Sequence, residues 1–172
     1  MLRFPVAVRR TLSIAVVCGL AACGSWRPPP VPVATPPTVS TVAQPRSELG
    51  NEIAFYALGL IDTGYRFGGK NPDAGLDCSG MVSYIFERAA GIRIRGSAAD
   101  IARQGRAVGS EELRPGDLVF FNTRNAAYSH VGIYIGEERF IHAPNRNGKV
   151  RIDRIADRYY AQRFEAARTF LD

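Results

Sequence analysis

Seven prolines fall between Arg27 and Arg46, among them Pro28-Pro29-Pro30 and Pro36-Pro37. Each removes a backbone donor and fixes φ, so this stretch cannot enter a helix interior or a sheet centre and favours extended polyproline II. At ~3.1 Å per residue it reaches on the order of 60 Å. The segment divides the 172-residue chain into a short N-terminal leader and one C-terminal domain, residues 47–172. The tether between them covers 23–46, long enough for the domain to work away from whatever holds the other end.

The leader, residues 1–22, has the form of an export signal. Arg3, Arg9 and Arg10 precede an apolar run from Leu12 to Ala22. That run is about half of the ~20 residues a bilayer-spanning helix needs, so a stable transmembrane segment is not expected. It ends in Leu20-Ala21-Ala22-Cys23-Gly24. This ending resembles the lipobox of bacterial lipoproteins, which implies cleavage before Cys23 and acylation of its sulfur. Gly24, with no acidic residue after the cysteine, resembles the Gram-negative pattern and implies the periplasmic side of the outer membrane. Without the three leader arginines the 22 basic residues fall to 19 against 16 acidic ones, a net of +3. That is too mild to argue for nucleic-acid binding and suits an anionic neighbourhood such as a cell wall or lipid head groups.

The cysteine count then becomes informative. Cys18 leaves with the leader, and Cys23 carries lipid if the lipobox holds. Cys78 remains as the single free thiol, in a compartment that tends to oxidise thiols. Such a cysteine is either buried and inert or reactive to a purpose.

In the domain, Ile53, Tyr56, Ala57 and Leu60 recur at helical spacing, with Ser47 as a candidate N-cap and Gly64 past the end. A second helix is expected from Asp77 through Cys78, Val82, Ile85, Phe86 and Ala89 to a stop at Gly91. A short helical segment covers Ser97 to Gln104. The pattern then changes. Arg114-Pro115-Gly116-Asp117 is a turn signal, and Leu118 to Phe121 reads as a buried strand. His130 to Ile135 and Arg139 to Ala143 read as two strands joined around Gly136. Val150 to Ile152 is a further strand, Asp153 to Gln162 a helical region, and Phe164 to Phe170 a last strand closing the sheet. Helices first and antiparallel strands second give an α+β domain.

Asp77 as N-cap puts Cys78 at the first helical position, where the helix N-terminus favours thiolate over thiol. Ser79 and Gly80 are small and leave the approach to sulfur open. A nucleophilic cysteine needs a base, and the base an orienting partner. The chain has two histidines, His130 and His142. If Gly136 to Glu138 form a three-residue connection, Ile135 opposes Arg139 and His142 opposes Gly132. His130, two residues from Gly132, then shares a face with His142, within the ~7–8 Å of diagonal neighbours. A two-residue loop would put the two rings on opposite faces. Zinc is the rival use of one Cys and two His. The chain lacks the close ligand pair, C-x-x-C or H-x-x-x-H, that usually anchors such a site, so no metal is expected.

Tyr65-Arg66-Phe67-Gly68-Gly69, Asp77-Cys78-Ser79-Gly80, Pro115-Gly116-Asp117-Leu118-Val119-Phe120-Phe121, His130-Val131-Gly132-Ile133-Tyr134-Ile135-Gly136 and Phe140-Ile141-His142-Ala143 resemble the successive motifs of NlpC-type cell-wall cysteine peptidases. The resemblance covers about residues 48 to 171. It implies a papain-like fold, with N-terminal helices packed on an antiparallel sheet, and cleavage of peptidoglycan stem peptides or crosslinks. The bond would be D-Ala–diaminopimelate or γ-D-Glu–diaminopimelate. It implies Cys78 as nucleophile, His130 as general base and His142 as the residue that orients it. Tyr65, Asp77 and Ser79 would lie around the scissile carbonyl and the oxyanion. No cofactor is implied, and a monomeric domain is expected. The chain departs from the family at Ile94-Arg95-Gly96-Ser97, where Leu-Pro-Arg before Ser or Thr is common, which puts substrate contacts from that loop in doubt. A non-catalytic wall-binding lipoprotein, or an acyltransferase or amidase on the same fold, are the other readings. Digestion of purified peptidoglycan separates binder from peptidase.

Overall fold

The computed structural model describes residues 46–171. The leader, Cys23 and the tether up to residue 45 lie outside the described residues. Four α-helices, α1 (Arg46–Leu58), α2 (Cys78–Ala90), α3 (Ala98–Gln104) and α4 (Arg158–Ala161), pack with two antiparallel sheets. The small sheet pairs β1 (Lys70–Asn71) with β2 (Gly75–Leu76). The large one contains β3 (Arg106–Val108), β4 (Leu118–Phe121), β5 (His130–Gly136), β6 (Arg139–His142), β7 (Arg151–Arg154) and β8 (Phe164–Thr169), in the spatial order β3-β8-β4-β5-β6-β7. This is the expected α+β arrangement. Among the described residues no helix is long and apolar enough to cross a membrane.

Alternation along the strands sorts the core into two layers. Leu118, Phe120, Val131, Ile133 and Ile141 face α1 and α2, where they meet Ile53, Ala57, Met81, Val82, Ile85 and Phe86. Val119, Phe121 and Phe140 face the other way and are covered by Tyr160 of α4. The helix-side layer is anchored at α1. A Cβ on Gly50 would stand 2.2 Å from the Pro115 carbonyl oxygen, so only glycine lets this helix lie against the turn before β4. In that turn the fully buried Asp117 accepts two bonds from Arg46 Nη2, at 2.9 and 3.1 Å, and one from the Arg114 N–H at 2.9 Å. Because α1 already includes Arg46, Ser47 lies inside the helix rather than capping it. Ser97, by contrast, does cap α3, in a capping box with Asp100.

Two expectations are corrected. The first is the β5–β6 turn. Gly136 pairs with Arg139, so the loop is two residues long, with Glu137 and Glu138 both at positive φ. That is the loop expected to separate the two imidazoles. A register shift between Tyr134 and Gly136 offsets it. Below the bulge Tyr134 opposes Phe140 and Ile133 opposes Ile141, the same register a three-residue loop would have produced. The face assignment of His130 and His142 therefore stands, by a different local geometry.

The second is the region from Asp153 to Gln162. Its first residues are strand, since β7 runs to Arg154, and the helix is the single turn Arg158–Ala161. Pairing with β6 explains this. Ile152 opposes Ile141, Arg151 opposes His142, and the Ile155 N–H still donates to the Glu138 carbonyl at 2.8 Å. Ladder bonds to β6 and the packing of half-buried Ile152 on the helix side outweigh the helical pattern of the segment itself. β8 fills an interior position between β3 and β4 rather than an edge. β3 itself, three residues long, carries no pattern a sequence reading could use.

Candidate active site

Cys78 is the first residue of α2, and Asp77 is its N-cap. The Asp77 carboxylate accepts from the Gly80 N–H at 2.7 Å, the Ser79 hydroxyl at 3.1 Å and the Gly68 N–H at 2.8 Å. Its own N–H donates to the Gly69 carbonyl at 3.1 Å. Asp77 thus clasps the start of α2 to the Phe67-Gly68-Gly69 loop. Asp77 and Ser79 were expected to contact substrate, but they bond each other and the backbone, and neither side chain lines the cavity that holds Cys78. Their contribution is to hold the helix start in place. None of Ile94, Arg95, Gly96 and Ser97 lines that cavity either.

The cavity, about 310 Å³, brings Cys78 together with His130 and Tyr65. Tyr65 reaches it through backbone pairing. Its N–H donates to the Gly148 carbonyl at 3.1 Å, and the flanking Gly64 and Arg66 bond Leu76, two residues before the cysteine. His130 opens β5, opposite Phe121 of β4. Behind it, His130 Nε2 lies 2.7 Å from His142 Nδ1. His142 Nε2 in turn lies 2.8 Å from Asp153 Oδ2. The two rings meet edge to face at 80°. His142 is fully buried between Phe140 and Tyr160. Both His142 nitrogens are engaged, which leaves no lone pair for a metal. Among the described residues no group of three His, Cys, Asp or Glu is placed to hold one.

The electrostatics correct one expectation. Burial pushes the Cys78 thiol up, and the neighbouring Asp77 charge adds to this. Backbone hydrogen bonds from Val131 and Ser79 and the charge of Arg124 act in the opposite sense without overcoming it. The placement at the helix start predicted a thiol more acidic than usual, but desolvation wins. Burial also holds His130 well below the ordinary imidazole range, and its neighbours His142 and Arg124 disfavour a positive charge there as well. The pair therefore rests at neutral pH as thiol and neutral imidazole.

Asp153, Arg124 and Arg146 were not singled out from the sequence. Asp153 was hidden by the helical reading of its segment, whereas alternation from Arg151 would have put it on the His142 face of a strand. Arg124 and Arg146 come from two loops and line the Cys78 cavity, whose lining includes no Asp or Glu. Arg124 is held in place, as its Nη2 donates to the Ser129 carbonyl at 2.7 Å.

A model of the NlpC/P60 family matches residues 62–169. The gamma-DL-glutamyl hydrolase of Bacillus subtilis (strain 168) is 40% identical over 111 residues, which are 64% of this chain and 27% of that protein. The murein DD-endopeptidase MepH of Escherichia coli (strain K12) is 36% identical over 107 residues, 60% of this chain and 40% of that protein. The chain thus spans less than half the length of these two relatives. Among solved structures, an NlpC/P60 family protein from Bacillus cereus ATCC 10987 superposes with a TM-score of 0.67 at 29% identity, over 72% of this chain and 40% of that one.

Proposed function

This chain belongs to the NlpC/P60 family, and from that premise we propose that it is a cysteine hydrolase of peptidoglycan, cutting amide bonds of stem peptides or their crosslinks. The observation that carries the reading is the hydrogen-bonded line from His130 through His142 to Asp153, with His130 and Cys78 on one cavity. A wall-binding protein has no use for a buried thiol beside a buried, neutral imidazole.

The chemistry follows from the parts. As Cys78 Sγ attacks the amide carbonyl, its proton passes to His130, and an S–C bond forms. Backbone N–H groups at the start of α2 face the developing oxyanion, and Tyr65 stands beside it. His130 returns the proton to the leaving nitrogen as the C–N bond breaks. Water then gives a proton to His130 and its oxygen to the acyl carbon, and the C–S bond breaks to restore the thiol. No step calls for a cofactor. The two bonds named from the sequence, D-Ala–diaminopimelate in the crosslink and γ-D-Glu–diaminopimelate in the stem peptide, both fit this mechanism. Incubating the protein with purified peptidoglycan and identifying fragments by mass spectrometry distinguishes them. Bound but uncut wall overturns the proposal.

Stem peptides carry free carboxylates, and the cavity offers Arg124 and Arg146 with no lining carboxylate to oppose them. Charge-assisted hydrogen bonds are worth about 1.5–3 kcal/mol each. Replacing both arginines with Gln is expected to raise KM for a carboxylate-bearing peptide by at least about tenfold, and to blunt the salt dependence of kcat/KM. An unchanged KM would remove these residues from substrate recognition.

We also propose that the mature protein is a lipoprotein, anchored through Cys23 to the periplasmic side of the outer membrane. The support is Leu20-Ala21-Ala22-Cys23 after a basic start and a short apolar run. Changing Cys23 to Ser should leave the protein unprocessed or soluble. Membrane retention of Cys23→Ser at its mature mass would contradict the anchor.

A further inference from the structure

The contact between the two imidazoles works as a catalytic device in one proton arrangement only. His130 serves as base through the ring nitrogen that does not face His142, which is Nδ1. Nδ1 carries a lone pair only if the His130 proton is on Nε2. His130 Nε2–H must then donate, and His142 Nδ1 must accept. The reverse arrangement puts the His142 proton on Nδ1, forces His130 Nε2 to accept, and leaves His130 with N–H toward the cavity and no base.

We propose that Asp153 selects between these arrangements: it is a positioning residue that holds His142 in its Nε2–H form and, through it, His130 in its Nε2–H form. The geometry is specific. Asp153 Oδ2 lies 2.8 Å from His142 Nε2. The same oxygen accepts from Arg151 Nε at 2.9 Å and Arg151 Nη2 at 2.8 Å. An ionised carboxylate oxygen only accepts, so at 2.8 Å it requires hydrogen on His142 Nε2. A bare Nε2 there would set two lone pairs against each other. Asp153 is ionised across the working range: burial alone would raise its carboxyl, but hydrogen bonds from His142, Arg151 and Tyr160 carry it far below the usual carboxylate range. His142 is neutral, because burial lowers its ring more than Asp153 raises it. With one proton, on Nε2, its Nδ1 is left bare toward His130 at 2.7 Å.

The groups facing Asp153 come from three elements: His142 on β6, Arg151 on its own strand β7, and Tyr160 on α4, with Asp157 lining the same cavity. Tyr160 is itself pushed up by burial and by Asp153, so it stays a phenol and a donor. Arg151 presents only N–H groups here, and the Tyr160 hydroxyl, which could accept, stands 3.5 Å from His142 Nε2 against 2.8 Å for Asp153 Oδ2, so Asp153 is the short, charged acceptor for His142 Nε2–H. Asp153 is the residue whose removal frees the His142 proton to move.

The proposal rests on the hydrolase reading for its purpose, but its first readout does not need activity. The chain contains two histidines, so the full-length protein labelled with 15N-histidine gives two ring systems in a long-range 1H–15N spectrum, assigned by His142→Asn. Both rings should be Nε2–H at neutral pH in the wild type. A wild-type His142 found as Nδ1–H overturns the proposal, and this holds even if a variant does not fold. In Asp153→Ala, His142 should shift toward Nδ1–H. kcat should fall roughly hundredfold at nearly constant KM, short of the ~10⁴-fold loss known for a fully inverted tautomer. Asp153→Asn should keep the wild-type tautomers and most of kcat, since Arg151 orients the amide oxygen toward His142. A folded Asp153→Ala with unchanged tautomers and kcat overturns the assignment. Correct wild-type tautomers in a protein that leaves peptidoglycan uncut would count against the hydrolase reading and leave the Asp153 assignment standing.

Discussion

Alanine at position 130 is expected to reduce turnover about ten-thousandfold while the fold persists, and serine at position 78 to abolish it. The two substitutions remove the base and the nucleophile of one proton transfer, and groups that act as a unit lose nearly everything together. His142 touches no substrate and acts through His130, so its variants rank in between. His142→Asn keeps a carbonyl oxygen able to accept from His130 Nε2–H. It should outperform His142→Ala, which leaves that N–H without an acceptor in a site buried to 0% exposure at position 142. The expected order is wild type, His142→Asn, His142→Ala and then His130→Ala, measured as kcat on peptidoglycan fragments. A His130→Ala variant with activity near that of His142→Ala would remove His130 as base.

The pH profile follows from the same burial. A base must be neutral to accept a proton. His130 is held well below 6.5, chiefly by desolvation, so it stays neutral as the pH falls through the range where a free imidazole would be protonated. Activity should persist below pH 6.5 and fall only as the pH passes through the lowered pKa of the folded state. An acid limb centred at or above 6.5 would mean that His130 is solvated in the working enzyme.

Much of this site was legible in the sequence, for reasons that differ from residue to residue. Cys78 could be placed because Asp77 caps a helix and Gly91 ends it, signals that depend on backbone groups close in sequence. The shared face of His130 and His142 was legible from strand period, although the loop between them was not. Glu137 and Glu138 at positive φ are a poor match to the Asn-Gly or Gly residues such a turn favours, so a two-residue loop with a compensating bulge had no sequence signature. Asp153 was missed because strand or helix there is decided by a partner, β6, and not by the segment's own pattern. The acidity of Cys78 was misjudged for a related reason. A helix terminus can be seen in sequence, but the desolvation that outweighs it comes from the burial of Cys78 in a core whose residues are far apart in the chain.

Alanine at position 80 is expected to cost stability and activity together, and by more than its size suggests. In a helix Ala is favoured over Gly by up to about 1 kcal/mol, so an isolated view predicts a gain. A Cβ at 80, however, would stand 1.9 Å from the Gly69 carbonyl oxygen, 2.9 Å from its carbon and 3.1 Å from Asp77 Oδ1. The first contact is with backbone, and that backbone is held. The Gly69 carbonyl accepts from the Asp77 N–H at 3.1 Å, and the Gly69 N–H donates to the Arg66 carbonyl at 2.9 Å. Relief requires the loop to recede from α2 by about an ångström, and the Asp77 bonds to Gly69 and Gly68 are the first to break. Overpacking of this kind costs about 1–3 kcal/mol, and loss of the cap adds about 1, so a net destabilisation of about 2–3 kcal/mol is expected in urea unfolding. The same shift moves Cys78, two residues away, relative to His130. A displacement near 1 Å can reduce turnover about a hundredfold, so the folded fraction should itself be slow. Gly59→Ala is the control, because its Cβ would meet only the Tyr56 carbonyl oxygen, at an ordinary 3.4 Å. If Gly80→Ala matches Gly59→Ala in both midpoint and kcat, the clasp between Asp77 and the Gly68-Gly69 loop does not position the nucleophile.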